Sequence, residues 1–265
     1  DAWSVRESDF PPEGRHAQLA FCLRYAILAP SSHNSQPWLL SLRDADVFVY
    51  ADRARALPVV DPDDRELLIS CGALVGQLGV ALAHFGLAHE VRLLPDRGRP
   101  DLVARVSLLD RPRGAPGDAG LFAAILERRT VRQAFEARSI PREVVLALET
   151  EPADDQVLVR HLHGEEERRR VCALVEEADR AQFKDPRFRR ELAAWMHGNR
   201  SRSRDGMPGS AFGMNDLTSA MGPLVVRTFD VGAGRAASDR KLVEGSPLLL
   251  ALVTQDDGPR AWLEA

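Results

Sequence analysis

The sequence predicts an α+β fold in which two related units lie in one chain. Three observations lead to this prediction. Short apolar segments follow one another across tight turns, as strands of antiparallel sheets do. One long segment is apolar on every side, as is typical of a helix at the centre of a core. The last residues repeat the order of elements found near the start, which indicates a duplicated unit.

The composition is that of an ordinary globular protein. The chain has 265 residues, 45% of them hydrophobic and 28% charged, which supplies a real core and excludes disorder. The net charge of -4 argues against nucleic acid as the partner, since phosphate binding needs a basic surface. Because Cys22, Cys71 and Cys172 form no C-x-x-C pair, we expect no disulfide framework and a cytoplasmic location.

The first predicted elements are a helix and a hairpin. Apolar residues recur at helical spacing over 13–29, and Pro30 ends that helix. A polar loop occupies 31–36. Two strands, 37–42 and 46–50, then follow as antiparallel neighbours across a short turn.

The segment 67–87 is long and apolar enough to span a bilayer, so a membrane helix is an alternative for it. Gln77 and His84 within the segment, and the acidic turn at 61–64 before it, favour a buried core helix instead. We therefore predict a helix covered by protein on all sides and no membrane partner.

Two further strands, 90–95 and 102–109, complete a first repeat that we predict over 1–112. A stretch rich in Pro, Gly and Asp at 111–120 marks the boundary. The second predicted repeat is 113–265.

The second repeat is more helical and more charged. Its predicted elements are helices at 119–129 and 141–150, a strand at 157–162, and a charged helical region at 165–197 interrupted at Asp185 and Pro186. The glycine-containing stretch 198–223 is predicted to be structureless, and a loop of that length is typical of a lid.

The end of the chain has the same order of elements as the first repeat. A strand at 246–253, an acidic loop at 254–259 and a helix start at 260–265 correspond to 47–50, 61–64 and 65–68. This order predicts a duplication in which the second core helix starts at 260–265, so that a C-terminal part of the second repeat is expected beyond residue 265.

The loop at 29–38, A-P-S-S-H-N-S-Q-P-W, carries hydroxyls, backbone N–H groups and two carboxamides. Asn34 and Gln36 each offer donors and an acceptor, which suits the edge of a planar heterocycle such as an isoalloxazine. A turn held together by its own Ser and Asn side chains is the alternative.

A second polar segment follows the predicted helix at 119–129. Arg128, Thr130 and Arg132 could bind a phosphate and bring positive charge near a ring that becomes anionic on reduction. A solvated basic helix end is the alternative for this segment.

Together the two segments resemble the FMN-dependent nitroreductase family, most closely its actinobacterial Acg-like branch. The residues that match its P-S-x-x-N-x-Q-P-W loop and its R-x-[ST]-x-[RK] motif are Pro30, Ser31, Ser32, Asn34, Gln36, Pro37, Trp38, Arg128, Thr130 and Arg132. The resemblance implies a nitroreductase-like FMN-binding fold. It also implies an oxidoreductase that takes hydride from NAD(P)H onto flavin N5 and passes electrons to a nitro compound, quinone or similar small-molecule acceptor.

The order of the motifs differs from that of an ordinary family member, in which the arginine motif comes first. Here the loop lies in the first repeat and the arginine motif in the second. Since family members bind FMN between two subunits, the resemblance implies a fused pseudo-dimer with one FMN. It leaves further oligomerisation open.

The resemblance also implies a role for each matched residue. Arg128 would contact the FMN phosphate or ribityl chain, Thr130 would hydrogen-bond nearby, and Arg132 would face the N1/C2 edge of the ring. The loop residues Pro30, Ser31, Ser32, Asn34 and Gln36 would contact the ring and ribityl chain. The flavin would carry the chemistry, so no catalytic side chain is expected.

A second function and a possible metal site also have to be considered. An FMN-sequestering protein with little reductase activity is the other function that the resemblance allows, because Met207, Phe212 and Met221 could make 198–223 an apolar lid. His161 and His163 would place two imidazoles on one strand face, but no third ligand is evident, so we predict no metal site.

Overall fold

The structure, a computed structural model, describes residues 2–132, 135–136, 138–150 and 156–265. The described residues form two compact units. The N-terminal unit contains the chain up to residue 56, then 63–129 and 258–264. The C-terminal unit contains 57–62 and the described part of 130–257.

Helices, singly or in pairs, alternate along the chain with one or two strands. The helices are α1 (Arg15–Ala26), α2 (Arg65–His84), α3 (Ala119–Glu127), α4 (Arg142–Thr150), α5 (Glu165–Lys184), α6 (Pro186–Trp195), α7 (Asp216–Thr228), α8 (Gly232–Gly245) and α9 (Pro259–Glu264). The strands are β1 (Trp38–Arg43), β2 (Asp46–Ala51), β3 (His89–Leu93), β4 (Leu102–Leu108), β5 (Val157–His161), β6 (Met196–His197), β7 (Met207–Pro208) and β8 (Leu250–Thr254).

An antiparallel sheet of order β1-β2-β4-β3 forms one side of the N-terminal unit. The β1-β2 hairpin pairs Trp38 with Ala51 and Arg43 with Asp46, so the predicted antiparallel pairing is confirmed. Val47 and Val49 of β2 point into the core, because side chains two apart lie on one face of a strand.

Helix α2 lies at the centre of this unit. It packs against α1, α3, α9, β2 and β4, and its residues Leu74, Leu78 and Leu82 are completely buried. Of the helices that the structure describes, α2 alone is long and apolar enough to cross a membrane, and half of that stretch is buried inside the protein. Helix α2 therefore belongs to the core, as predicted, but the expectation that protein covers it on all sides is wrong.

The contact between α2 and α9 depends on a glycine. A methyl group at Gly72 would overlap the carbonyl oxygen of Leu263 and lie 2.9 Å from its carbonyl carbon. The short helix α9 can therefore pack closely against α2 because position 72 has no side chain.

The C-terminal unit is mainly helical. Helix α5 packs against α8, α6 packs against α7, and β5 pairs antiparallel with β8. A small apolar cluster contains Phe183, Phe188 and Val226. The segment 57–62 joins this unit through Glu191, whose carboxylate accepts hydrogen bonds of 3.0 Å from the backbone N–H groups of Val59 and Val60.

The compact units do not coincide with the stretches 1–112 and 113–265 predicted from sequence. Helix α3 belongs to the N-terminal unit, because Phe122 and Ile125 are buried in its core, and α9 belongs there as well. Packing thus groups elements that are far apart in the chain, while the duplication remains a prediction about sequence order.

The stretch 198–223 is not structureless, which corrects the prediction. It contains β7, a 3-10 turn at Gly209–Phe212 and the first half of α7. The side chain of Asn215 caps α7 by accepting a hydrogen bond of 2.9 Å from the N–H of Thr218, and Pro223 lies inside the helix. Helix α8 was also not predicted.

Candidate functional site

The polar loop that follows α1 has an unusual backbone. After a 3-10 turn at Ser32–Asn34 the chain enters β1 at Trp38. His33, Asn34 and Gln36 have φ angles of 51°, 53° and 51°, in the left-handed region. That conformation costs a non-glycine residue about 1 kcal/mol or more, and residues held in it cluster at ligand-binding sites.

Hydrogen bonds within the loop, and one from Arg55 outside it, hold the loop backbone in place. Ser31 contributes at both ends: its carbonyl accepts from the N–H of Asn34 and its hydroxyl from the N–H of Gln36, both at 2.9 Å. Arg55 donates to the carbonyl of Ser35 at 2.9 Å. These bonds fix the backbone, so the left-handed residues are held in place by structure around them.

Helix α2 supports the loop from the protein interior. Ser70 is buried, and its hydroxyl accepts a hydrogen bond of 3.3 Å from the N–H of Ser32 while donating to the carbonyl of Glu66 at 2.7 Å. The hydroxyl of Ser32 donates to the carboxylate of Glu66. One turn of α2 therefore binds both the backbone N–H and the hydroxyl of Ser32.

The end of the loop is anchored in the core. Pro37 and Trp38 are buried, and the carbonyl of Pro37 accepts from the N–H of Asp52 at 3.0 Å and from the thiol of Cys71 at 3.4 Å. Burial raises the pKa of Cys71 to about 12, so this group remains a neutral thiol. It serves as a packing residue and a weak donor.

Arg128 lies beside the beginning of the loop. It follows α3 directly, and its guanidinium donates to the carbonyl of Leu28 at 3.0 Å. Burial, and to a smaller extent the charge of Arg129, lowers the pKa of Arg128, which nevertheless stays a cation at neutral pH. The structure thus brings Arg128 together with the loop inside the N-terminal unit, although the sequence suggested that it belongs to the second repeat.

Thr130 and Arg132 belong to the C-terminal unit. Arg132 is half-buried, and its guanidinium lies 5.3 Å from the ring centre of Phe212. Burial, and then the nearby charge of Arg235, lowers the pKa of Arg132, while Asp239 opposes this. Gln133 and Ala134, the two residues that follow the motif, lie outside the described residues.

Sequence analysis did not identify the residues that support the loop. Glu66 and Ser70 are four positions apart, so they occupy one face of α2. The signal that could have found them is a hydroxyl in an otherwise apolar helix, because a buried polar side chain needs a partner.

The arrangement is a strained polar loop, fixed by a buried helix and flanked by a partly buried cation. Such a loop can present backbone and carboxamide groups to a planar, partly anionic ligand without reorganising. Together with the antiparallel sheet and the apolar core helix, these features agree with the α+β fold and the polar ligand-binding loop that the resemblance to nitroreductases implies.

Comparison with known proteins identifies the family. No protein-family model matches the chain. A protein of Mycobacterium tuberculosis strain H37Rv that is provisionally named as an NAD(P)H nitroreductase, Rv3131, is 30% identical over 244 residues, which is 92% of this chain and 68% of the relative. The chain belongs to the nitroreductase family.

Two other relatives share shorter stretches. The Mycobacterium tuberculosis protein Acg, provisionally named as an NAD(P)H nitroreductase, is 34% identical over 113 residues, 43% of this chain and 34% of Acg. The Serratia protein PigM, with a similar provisional name, is 28% identical over 193 residues, 69% of this chain and 52% of PigM. Acg-like relatives are thus among its similar proteins, in agreement with the resemblance seen in the motifs.

Proposed function

We propose that the protein is an FMN-binding oxidoreductase that uses NAD(P)H to reduce a nitro compound, a quinone or a similar small molecule. The observation that supports this most directly is the loop at 30–38, in which three left-handed residues are fixed against α2. The family relationship supports NAD(P)H as the reductant, because the relatives bear that name.

The described residues fit an FMN ligand. Ser31, Ser32, Asn34 and Gln36 are all partly exposed, so their polar groups can reach a ligand while the loop stays anchored through Pro37. An isoalloxazine edge alternates carbonyl and N–H groups, and carboxamides complement both.

Arg128 supplies the charge in this proposal. Its partial burial weakens the hydration of its guanidinium and strengthens its attraction for a phosphate or for negative charge near the loop. Thr130 and Arg132, the other residues of the arginine motif, would also bind the ligand, and Pro30 would limit the path of the chain as it enters the loop.

FMN, when bound, supplies the centre that accepts and donates hydride. The residues of this chain bind and orient it: the loop holds one edge through hydrogen bonds, and the arginines hold its negative charge. No side chain needs to act as a nucleophile or as a metal ligand for this chemistry.

An FMN-sequestering protein is the second candidate. Helix α7 carries exposed apolar side chains, among them Leu217, Met221 and Leu224. An apolar surface of this kind could shield a flavin from nicotinamide, and it replaces the structureless lid expected from sequence as the support for this candidate.

The proposal includes the remaining expectations from sequence. We propose that the stretches 1–112 and 113–265 arose by duplication and form a pseudo-dimer that binds one FMN. We also propose a cytoplasmic protein whose partners are small molecules, with no role in binding nucleic acid or membranes.

The test is an anaerobic visible spectrum of the FMN-loaded protein before and after addition of NADPH or NADH. Loss of the oxidised-flavin band supports the reductase. A band that persists supports sequestration, and deletion of residues 216–228 should then restore reduction if α7 is the shield. A protein that cannot be loaded with FMN would refute both candidates.

Asn34→Ala provides the matched variant for this spectrum. It removes a carboxamide that is proposed to bind the ring but leaves in place the hydrogen bonds that backbone N–H groups of the loop donate to Ser31 and Ser70. We expect FMN affinity to fall about tenfold while the folded structure is retained. Asn215→Ala, which removes the cap of α7, is a control outside the loop.

A further inference from the structure

One side-chain cluster in the C-terminal unit is unrelated to the loop. It consists of Glu149 near the end of α4 and of His161 and His163 at the end of β5, two elements that pack against each other. The two histidines are separated by one residue, so they lie on the same side of the extended chain. Glu149 is the third ligand that spacing in the sequence did not reveal.

The geometry of the cluster is close to that of a metal site. One ligand atom from each of the three residues lies within 4.8 Å of the other two, and Nε2 of His163 lies 4.0 Å from Oε1 of Glu149. In a tetrahedral zinc site, bonds of about 2.0–2.1 Å place the ligand atoms about 3.3 Å apart. Small side-chain rotations, which the exposed His163 can make, would close the difference.

The arrangement is poorly explained by an ion pair alone. His161 has a buried Nδ1 for which the described residues provide no hydrogen-bond partner. The imidazole rings of His161 and His163 have centres 3.8 Å apart, so a single ion can be reached by a nitrogen of each ring. A bound dication would instead use both rings in their neutral form.

The surrounding charges permit a cation. Arg160 precedes His161 and therefore points to the other face of β5, where its guanidinium lies 3.7 Å from the carboxylate of Glu167. Glu149 adds a negative charge next to the two imidazoles. A set of two imidazoles and one carboxylate is typical of zinc and related transition-metal ions.

We propose that Glu149, His161 and His163 bind a transition-metal dication such as Zn²⁺. Three protein ligands leave a fourth coordination position, which is open to solvent because His163 is largely exposed. The bound ion would connect α4 to the strand pair β5-β8. This site is independent of the FMN proposal.

Calorimetric titration with zinc chloride tests the proposal, using chelator-treated protein without a histidine tag. We expect one saturable site in the wild-type protein. His163→Ala and Glu149→Gln should each weaken binding by about tenfold or more, since even the loss of an outer-shell partner has effects of that size. His16→Ala, which alters an exposed histidine of α1, should leave binding unchanged.

A second measurement separates ligation from loss of folding. Zinc should raise the melting temperature of the wild-type protein but not that of His163→Ala, whose circular dichroism spectrum should match the wild type. His163 is exposed, so its replacement should not disturb the core. Absence of saturable binding, or equal binding by the wild type and His163→Ala, would overturn the proposal.

Discussion

The two compact units differ in what holds them together. In the N-terminal unit, Leu74 and Leu78 of α2 are fully buried between helices and the sheet, and the polar loop rests on that core. In the C-terminal unit, Leu158 of β5 is 58% exposed and Leu174 of α5 is 66% exposed. Its elements are also joined by ion pairs, such as that of Arg240 in α8 with Glu176 in α5, whose charged atoms lie 3.2 Å apart.

This difference explains where a binding loop can be built. Residues in left-handed backbone conformations persist only where neighbouring structure fixes them, and the N-terminal unit provides that through the buried Ser70 and Pro37. Among the described residues, the C-terminal unit has fewer buried apolar side chains, so its local unfolding free energy is expected to be lower. We therefore expect the N-terminal unit to hold the loop in a fixed conformation and the C-terminal unit to open locally more easily.

The largest effect is expected from Leu78→Ala, compared with Leu174→Ala. Removing a fully buried leucine side chain leaves a cavity and should lower the free energy of unfolding by about 3 kcal/mol. The exposed Leu174 should contribute less than about 0.5 kcal/mol. Urea unfolding measures both, and equal losses would contradict the contrast between the units.

Gly72→Ala tests the close approach of α2 and α9. The added methyl group would overlap the backbone of Leu263, so we expect destabilisation of about 2 kcal/mol. Gly76→Ala, one turn later in α2, meets no atom within 4 Å and should stabilise the helix by up to about 1 kcal/mol. If both variants shift the melting temperature in the same direction, the contact between α2 and α9 is wrong.

Ser70→Ala tests whether α2 fixes the loop. Loss of the hydroxyl leaves the N–H of Ser32 without this acceptor, which should cost about 1 kcal/mol of stability and weaken FMN binding about fivefold. Fluorescence titration with FMN and thermal melting give the two values. Ser41→Ala on β1 is the control, and an effect on Ser41→Ala as large as on Ser70→Ala would argue against a specific support.

Asp179→Asn should have the smallest effect and acts in the C-terminal unit. Burial, and then the charge of Asp239, raises the pKa of Asp179, while Arg235 opposes this. An acid whose pKa is higher in the folded state weakens the fold as pH rises from its unfolded value towards the folded one. The variant should therefore melt about 1–2 °C higher than the wild type at pH 7.

That gain should shrink as the pH falls to about 4, and it should vanish well below the ordinary pKa of an aspartate, where Asp179 is protonated in both states. Melting curves between pH 4 and pH 7 measure it, with Glu177→Gln on the same helix as the control. A gain that grows as pH falls would contradict the sign of the pKa shift.

Some elements were predictable because the pattern of apolar and turn residues within one short stretch is enough to indicate them. The segments 37–42 and 46–50 are short apolar runs on either side of a turn, and they appear as β1 and β2 with nearly the same bounds. The apolar run at 67–87 appears as α2, and Asp185 with Pro186 separates α5 from α6. In each case a short stretch contains the whole pattern.

The stretch 198–223 shows how the same approach fails. Its glycines suggested a structureless loop. Gly206 and Gly213 do have positive φ angles, of 73° and 72°. Gly209 and Gly222, however, are sites of close packing: a methyl group at Gly209 would overlap the side chain of Ser219. Glycine has both uses, and composition does not distinguish them.

The sequence by itself determined the family, the loop and the arginine motif, because these are contiguous patterns of residue types. Only the tertiary structure decided which groups meet. Ser70 and Glu66 reach Ser32 across 38 and 34 positions, and Arg128 reaches Leu28 across 100. Such pairs depend on how distant segments close around one core, and periodicity reports which face of an element is buried but not what it is buried against.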